Sequence, residues 1–371
     1  MKNKIDYRFK LLYAIGILMV ISGHMASGIS LTLADWVPLY GVHLPIFAFS
    51  SGYFFKESAT QDWIGYVKKK VLRLLVPLYI YNLFYGIVVL ISRRFGFTLS
   101  EEFSLYNLLL APILNGHQFA YNLGGWFVVP LFMVETFYVL LRKALHISWN
   151  RLSETVLFVV LAILGMVGNQ LGYMGYNQGW WLVLDRMLYF LPFYAFGFYY
   201  KKFLEEYDRK IPDALLLSVL FGIQAMIFFI YGRELTYGAA WCSFKEPGYM
   251  PFLAGIVGIA IWFRIATMLE PVLGKKRSVN ILADNAYSIM INQFAGFMIV
   301  KTVYALISKY TMLFQDFEMD AYKSTIWYCY LPRGMKQLGV FYLIMGIAFP
   351  LLVQYIINMT KNKFGRMKNA R

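Results

Sequence analysis

About ten apolar runs, each roughly 18 to 22 residues long, follow one another between residues 11 and 358. Coiled as a helix, such a run matches the hydrocarbon thickness of a bilayer. Backbone amides in lipid have no water to bond, so each span must satisfy its own hydrogen bonds, as a helix does. Barrel strands would be shorter and would alternate apolar with polar residues. The expected fold is therefore all-α and polytopic, with about ten transmembrane helices. The runs place them near 11–29, 36–54, 75–92, 125–143, 155–175, 185–200, 214–231, 248–268, 281–306 and 337–358. Residues 1–371 then form a single transmembrane domain, since no loop is long enough for a soluble one. The first run is too long, and too polar in its middle, for a cleaved signal peptide. Composition agrees: 59% of residues are hydrophobic and 15% charged, too few charges for a soluble globule. Two Cys exclude a disulfide-built fold.

The net charge of +15 invites a nucleic-acid reading, but the basic residues sit in short clusters between apolar runs. That is the pattern of cytoplasmic loops, so the bilayer is the expected partner and nucleic acid is not. With the N-terminus cytoplasmic, the inside segments gather about 25 of the 35 Lys and Arg residues. An even number of spans returns the basic C-terminal tail to the same side, so both termini are expected in the cytoplasm. Segment 56–74, KESATQDWIGYVKKKVLRL, reads as an interfacial amphipathic helix leading into the third span. Lys68, Lys69, Lys70 and Arg73 suit anionic lipid headgroups. They equally suit a phosphate-bearing ligand at the inner face.

Ionisable groups within a membrane are costly, so each is a candidate for function. Two of the four His lie in the first hairpin, His24 in GILMVISGHMASG and His43 in YGVHLPIFAFSSGYFF. At 1.5 Å per residue both fall about 8 to 10 Å below the outer ends of their helices, so antiparallel neighbours bring the imidazoles to one depth. They serve either as packing glue or in chemistry. Glu135, Asn292 and Gln293, near mid-membrane, form one polar core or else separate packing contacts. On the outer side Asp185 and Arg186 open the sixth span, where an interfacial ion pair is the plain reading. His117, Asn122 and Trp126, in NGHQFAYNLGGWF, make an aromatic belt or a sugar-stacking platform. Cys242 and Cys329 fall in outer loops, as two free thiols or as a bridge. No phosphate-binding glycine loop, Cys/His metal spacing or nucleophile elbow appears.

Six motifs in order carry a family resemblance. VISGH closes the first span on His24, and GVHLPIFAFSSGYFF carries His43. KKKVLRLLVP sets a basic cluster before an Arg and a Pro, and GGWFVVPLF begins a span at Trp126. RMLYFLPFYAFGFYYKK puts Arg186 ahead of a Pro-containing span, and NAYSIMINQF holds an Asn-x-x-x-Ile-Met pattern. Over most of its length the chain resembles the membrane-bound acyltransferase 3 family, near its fucose 4-O-acetylase-like branch. It departs in two places. A basic residue often stands eleven positions before the first-span His in that family, where this chain has Tyr13, with Lys10 and Arg8 nearest. A late His pair is replaced by Asn292 and Gln293.

The resemblance implies transfer of an acetyl group from cytoplasmic acetyl-CoA, a co-substrate rather than a tightly bound cofactor. The acceptor would be a hydroxyl of a cell-surface or exported polysaccharide or its lipid-linked precursor, at the plasma or inner membrane, with no metal. His24 and His43 would be catalytic, with Lys69, Lys70, Arg73 and Lys10 on the donor side. Trp126, Asn122 and Arg186 would face the acceptor. His24 would act as a general base or accept the acetyl group as a nucleophile. From another class, a secondary transporter or flippase for a sugar or lipid-linked glycan would use the same polar core. Many such proteins show internal repeats, and none is visible here.

Overall fold

The computed structural model describes residues 5–25, 41–231 and 237–369, with side chains through residue 362. Among these residues all regular structure is helical apart from one isolated bridge, Gly238 to Ser243. Helix α1 (Tyr7–His24) is capped by Asp6, whose carboxylate accepts from the Arg8 amide. A short helix follows, α2 (Pro45–Tyr53), with Pro in its first turn. Helix α3 (Trp63–Lys70), capped by Asp62, runs through a π turn at Val71–Leu75 into α4 (Val76–Arg93). A bundle of long helices comes next: α5 (Val128–Ala144), α6 (Arg151–Tyr173), α7 (Trp180–Tyr199) and α8 (Asp213–Tyr231). The chain closes with α9 (Tyr249–Leu273), α10 (Arg277–Asp284), α11 (Ala286–Tyr310) and α12 (Val340–Asn369).

Among the described residues seven helical stretches are long and apolar enough to cross a membrane: Trp63–Arg93, Ala120–Ala144, Arg151–Tyr173, Asp213–Tyr231, Tyr249–Leu273, Ala286–Tyr310 and Lys336–Asn362. The chain is thus a multi-pass membrane protein. Three of the ten expected spans fall outside this set, each for a visible reason. Helix α1 carries Arg8 and Lys10 in its first turn and stops at His24. The run 36–54 contributes only the nine residues of α2, and residues 36–40 lie outside the described part. Helix α7 carries Asp185, Arg186 and an internal Pro192.

These three helices occupy the middle of the molecule. Helix α1 packs on α2, α9, α10 and α11, and α7 packs on α2, α5 and α6. Helix α8, by contrast, exposes Leu215, Val219, Met226 and Phe229, the surface a lipid-facing helix needs. Polar central helices inside an apolar ring are what a bilayer demands. Helices α2 and α7 touch backbone to backbone. A Cβ on Gly52 would fall 1.8 Å from Tyr194 O, and one on Gly197 2.0 Å from Phe49 O. Small residues permit this approach.

The connections divide between two ends. At one end Lys202 reaches Glu57 (2.6 Å) and Glu154 (3.8 Å), while Arg142 forms a buried ion pair with Glu154. Arg8 and Arg209 meet on Glu205 close by, and Arg264 bridges Asp208 and Asp213, which makes this the basic end. At the opposite end the two long connections, 93–124 and 307–336, meet where Thr98 N donates to Lys323 O (2.8 Å). Gly197→Val should push α2 and α7 apart, because the added atoms overlap backbone that cannot yield. The expected cost is about 1–3 kcal/mol, read as a lower thermal-unfolding midpoint in detergent. An unchanged midpoint would mean the two backbones do not touch.

Candidate active site

Helix α1 ends at His24, short of the position 29 expected for its span. Gly23 and the Ser- and Gly-rich stretch after it are weak helix formers, and Met25 is already extended (ψ 120°). His43 also lies outside a helix, just before Leu44 and Pro45 begin α2. The two imidazoles thus occupy broken helix ends rather than matched depths of two continuous helices. The hairpin turn joining them falls within residues 26–40, outside the described part. A third irregular stretch is the 3-10 segment Ala120–Phe127, where Asn122 leaves helical geometry (φ −122°, ψ 30°). Within a membrane-spanning body such backbone persists only where protein buries it or it lines a cavity. All three stretches line one cavity of about 60 Å³, with His24, His43, Trp126, Phe127, Tyr237 and Met290 in its wall.

The His24 ring packs on Phe294 (4.9 Å) and Trp327 (6.0 Å). Among the described residues His24 Nδ1 and Gln293 Oε1 are both buried without a well-formed hydrogen bond, although the two side chains are close electrostatic neighbours. A neutral imidazole keeps one ring lone pair, which a base or nucleophile requires.

A cavity of about 1040 Å³ lies toward the basic end, with Tyr13, Tyr66, Lys69, Arg73, Glu135 and Tyr287 in its lining. Phe127 and Met290 line both cavities and so form the partition between them. The lining positions 65, 66, 69, 70, 73 and 74 recur every four residues, which makes them one stripe of α3 and the π turn. Lys70 Nζ bonds Glu135 Oε1 at 2.6 Å, and Glu135 is only 1% exposed. Its other oxygen has no partner among the described residues. Lys56, Lys69 and Arg73 also line this cavity, with no carboxylate partner among the described residues. Lys10 stands back from it, ion-paired to the lining residue Asp284.

The expected polar core is split in three. Glu135 belongs with Lys70, and Gln293 lies beside His24. Asn292 Oδ1 accepts from Tyr85 OH (2.6 Å) and its Nδ2 donates to Ser288 O (2.8 Å). Ser288 Oγ donates to Pro350 O (3.0 Å), so this knot ties α4, α11 and α12 together. Arg186 makes no ion pair with Asp185. Its guanidinium donates to Ala240 O (2.9 Å) and Asn115 O (3.0 Å) and lies 4.8 Å over Trp126. Asp185 is fully buried, and neither carboxylate oxygen has a partner among the described residues. Trp126 is buried in the cavity wall rather than in an outer belt, and Asn122 is buried in the same segment.

His117 Nδ1 donates to Asn115 O (2.6 Å), the only role a carbonyl partner leaves it. Its ring is stacked between Trp241 (4.3 Å) and Trp126 (6.3 Å). Burial first, then the nearby Arg186, pushes His117 down to about 3, so the ring is neutral at pH 7. Trp241, Tyr237 and Trp327 had no signal in the sequence, where aromatic residues in loops look like packing. Met290 lay inside a quoted motif, yet nothing marked it as a partition. Among the described residues no three His, Cys, Asp or Glu side chains converge as a metal site would need.

Over residues 6–314 the chain matches the acyltransferase 3 family, described as an acyltransferase domain, and it belongs to that family. It is therefore a membrane acyltransferase, which moves an acyl group from a donor co-substrate to an acceptor. No curated protein and no solved structure matched the chain. The matched region contains every residue lining the two cavities and stops short of Trp327 and α12.

Cys242 is fully buried and Cys329 partly so, and both are free. Labelling of the unreduced, denatured protein should count two reactive thiols. A count of zero that rises to two on reduction would establish a bridge instead.

Proposed function

We propose that the protein is an O-acetyltransferase that takes acetyl from cytoplasmic acetyl-CoA. It delivers the group to a hydroxyl of a cell-surface or exported polysaccharide or its lipid-linked precursor, at the plasma or inner membrane. Helices α1, α2 and α7 complete ten spans in one transmembrane domain, with both termini cytoplasmic. The observation that carries this reading is the partition at Phe127 and Met290, with a basic-mouthed cavity on one side and both histidines on the other.

Lys56, Lys69 and Arg73 suit the phosphates of the donor, since charge-assisted bonds to phosphate are the strong ones. Glu135 holds Lys70 in place. The apolar lining beyond, including Phe47, Leu74 and Leu131, suits the thin donor arm that carries the thioester. At the partition the acceptor oxygen attacks the thioester carbonyl while His24 takes the hydroxyl proton. The C–S bond then breaks, and the proton passes to the departing thiolate. A positioned base contributes about 10²–10⁴-fold. The small, largely apolar histidine cavity limits loss of the acetyl group to water. His43, across the same cavity, positions the reacting groups.

His24→Ala protein, purified and folded, should lose transfer at saturating acetyl-CoA by at least about 10²-fold. Near-normal turnover would overturn the assignment of His24 as the base. Lys69→Ala and Arg73→Ala should each raise KM for acetyl-CoA about tenfold, with a smaller effect on acceptor use. An unchanged donor KM would leave these cations to the lipid headgroups. A reporter fused after Arg371 should read cytoplasmic, and an external signal would refute the even span count.

A further inference from the structure

We propose that a separate cavity of about 400 Å³ at the end opposite the basic one is a carbohydrate subsite that seats the acceptor, with Trp241 as its stacking face. Tyr106, Asn115, Asn177, Gln178, Leu182 and Trp241 line it. This inference rests on the glycan-acceptor reading and adds where the sugar binds. The volume is within the range of about 300–1,000 Å³ usual for small-molecule sites.

The lining has the two things a sugar ring needs. A pyranose presents a face of C–H bonds and a rim of hydroxyls. The C–H face suits an exposed aromatic ring, and Trp241 and Tyr106 are 51% and 52% exposed. The rim needs partners that both donate and accept, which amides do. The Asn177 and Gln178 side chains make no hydrogen bond among the described residues, so theirs are uncommitted. Their loop, between α6 and α7, is bent by Gly175 (φ 90°) and Gly179 (φ 56°), conformations that favour glycine.

An interfacial aromatic belt would also place Trp at this end. Trp241 differs in what supports it. Its ring is one outer layer of the Trp241–His117–Trp126 stack, with interplanar angles of 19° and 21°. Trp126 lines the histidine cavity, as does Ala240, the residue before Trp241. Arg186 holds Ala240 O, Asn115 O and the Trp126 face together. A sugar on Trp241 therefore lies on the outer side of these stacked rings, where it anchors the glycan while a neighbouring unit carries the reacting hydroxyl to the histidine cavity. Belt residues on lipid-facing helices have no such tie to a second cavity.

The test uses the purified full chain in vesicles, radiolabelled acetyl-CoA, and increasing amounts of heat-treated membranes from its own host as the source of glycan. Partition of the label between organic solvent and water separates lipid-linked from polymeric acceptor. Trp241→Ala should raise the half-saturating amount of these membranes at least tenfold, while half-saturating acetyl-CoA moves less than twofold. Trp241→Phe should restore most of the loss. Asn177→Ala, at a partly exposed loop position, should raise acceptor demand severalfold and decides the matter if Trp241→Ala does not fold. Wild-type acceptor demand in the folded variants overturns the subsite, as does an effect confined to acetyl-CoA. If the unaltered chain labels neither fraction, the glycan-acetylation reading itself falls, and the subsite with it.

Discussion

A peptide group left without a partner in hydrocarbon costs several kcal/mol, so a membrane helix can break only against protein. Helix α1 ends at His24, α2 begins after His43, and the segment before α5 is irregular at Asn122. Their unbonded backbone groups have to be enclosed together, and the surrounding ring of apolar helices does this. The enclosure leaves a small space lined by both imidazoles. The same breaks that need shelter thus bring the histidines to one cavity, which two unbroken helices would hold behind their own side chains. Gly124 shows how close the enclosure is, since a Cβ there would fall 2.0 Å from Met290 O.

Charge is sorted around that space rather than within it. Glu135 and Lys70 neutralise each other at the large cavity, and Lys10 is taken up by Asp284. Arg186 is spent on two backbone carbonyls and a Trp face. What borders the histidines is therefore mostly aromatic, glycine and methionine, with Gln293 the polar exception. Low polarity strengthens each remaining electrostatic contact. It also leaves few groups to hold a competing water, which matters to an enzyme that moves an acyl group.

The apolar runs made the helical membrane fold legible because their length answers directly to bilayer thickness. The basic stripe of α3 was legible for a similar reason, as its four-residue repeat is a helical face. The span ends at His24 and His43 were not. A hydropathy run continues through a broken helix, because lipid-compatible side chains say nothing about backbone geometry. Glu135, Asn292 and Gln293 looked alike in sequence because depth along a helix does not reveal which neighbour each faces. Rotation around α11 sends Asn292 to Tyr85 and Gln293, one residue on, to His24. The aromatic stack was hidden for another reason: Trp126, His117 and Trp241 come from connections whose course only the assembled chain defines.

Tyr13 stands where a cation was expected from the family pattern, and the nearest sequence substitutes are both engaged elsewhere. Arg8 is held by Asp6 (2.5 Å) and Glu205 (2.9 Å), and Lys10 by Asp284. Tyr13 itself lines the large cavity, within electrostatic reach of Arg73 and Glu135. On the donor-binding reading, Arg73 supplies from the π turn of the neighbouring segment the positive charge that α1 lacks. A guanidinium suits that exchange, because it stays charged in a partly buried setting and bonds phosphate through a planar fork. The i→i+5 turn at Val71–Leu75 then acquires a purpose. It widens the helix where Arg73 sits, and such turns recur at functional sites.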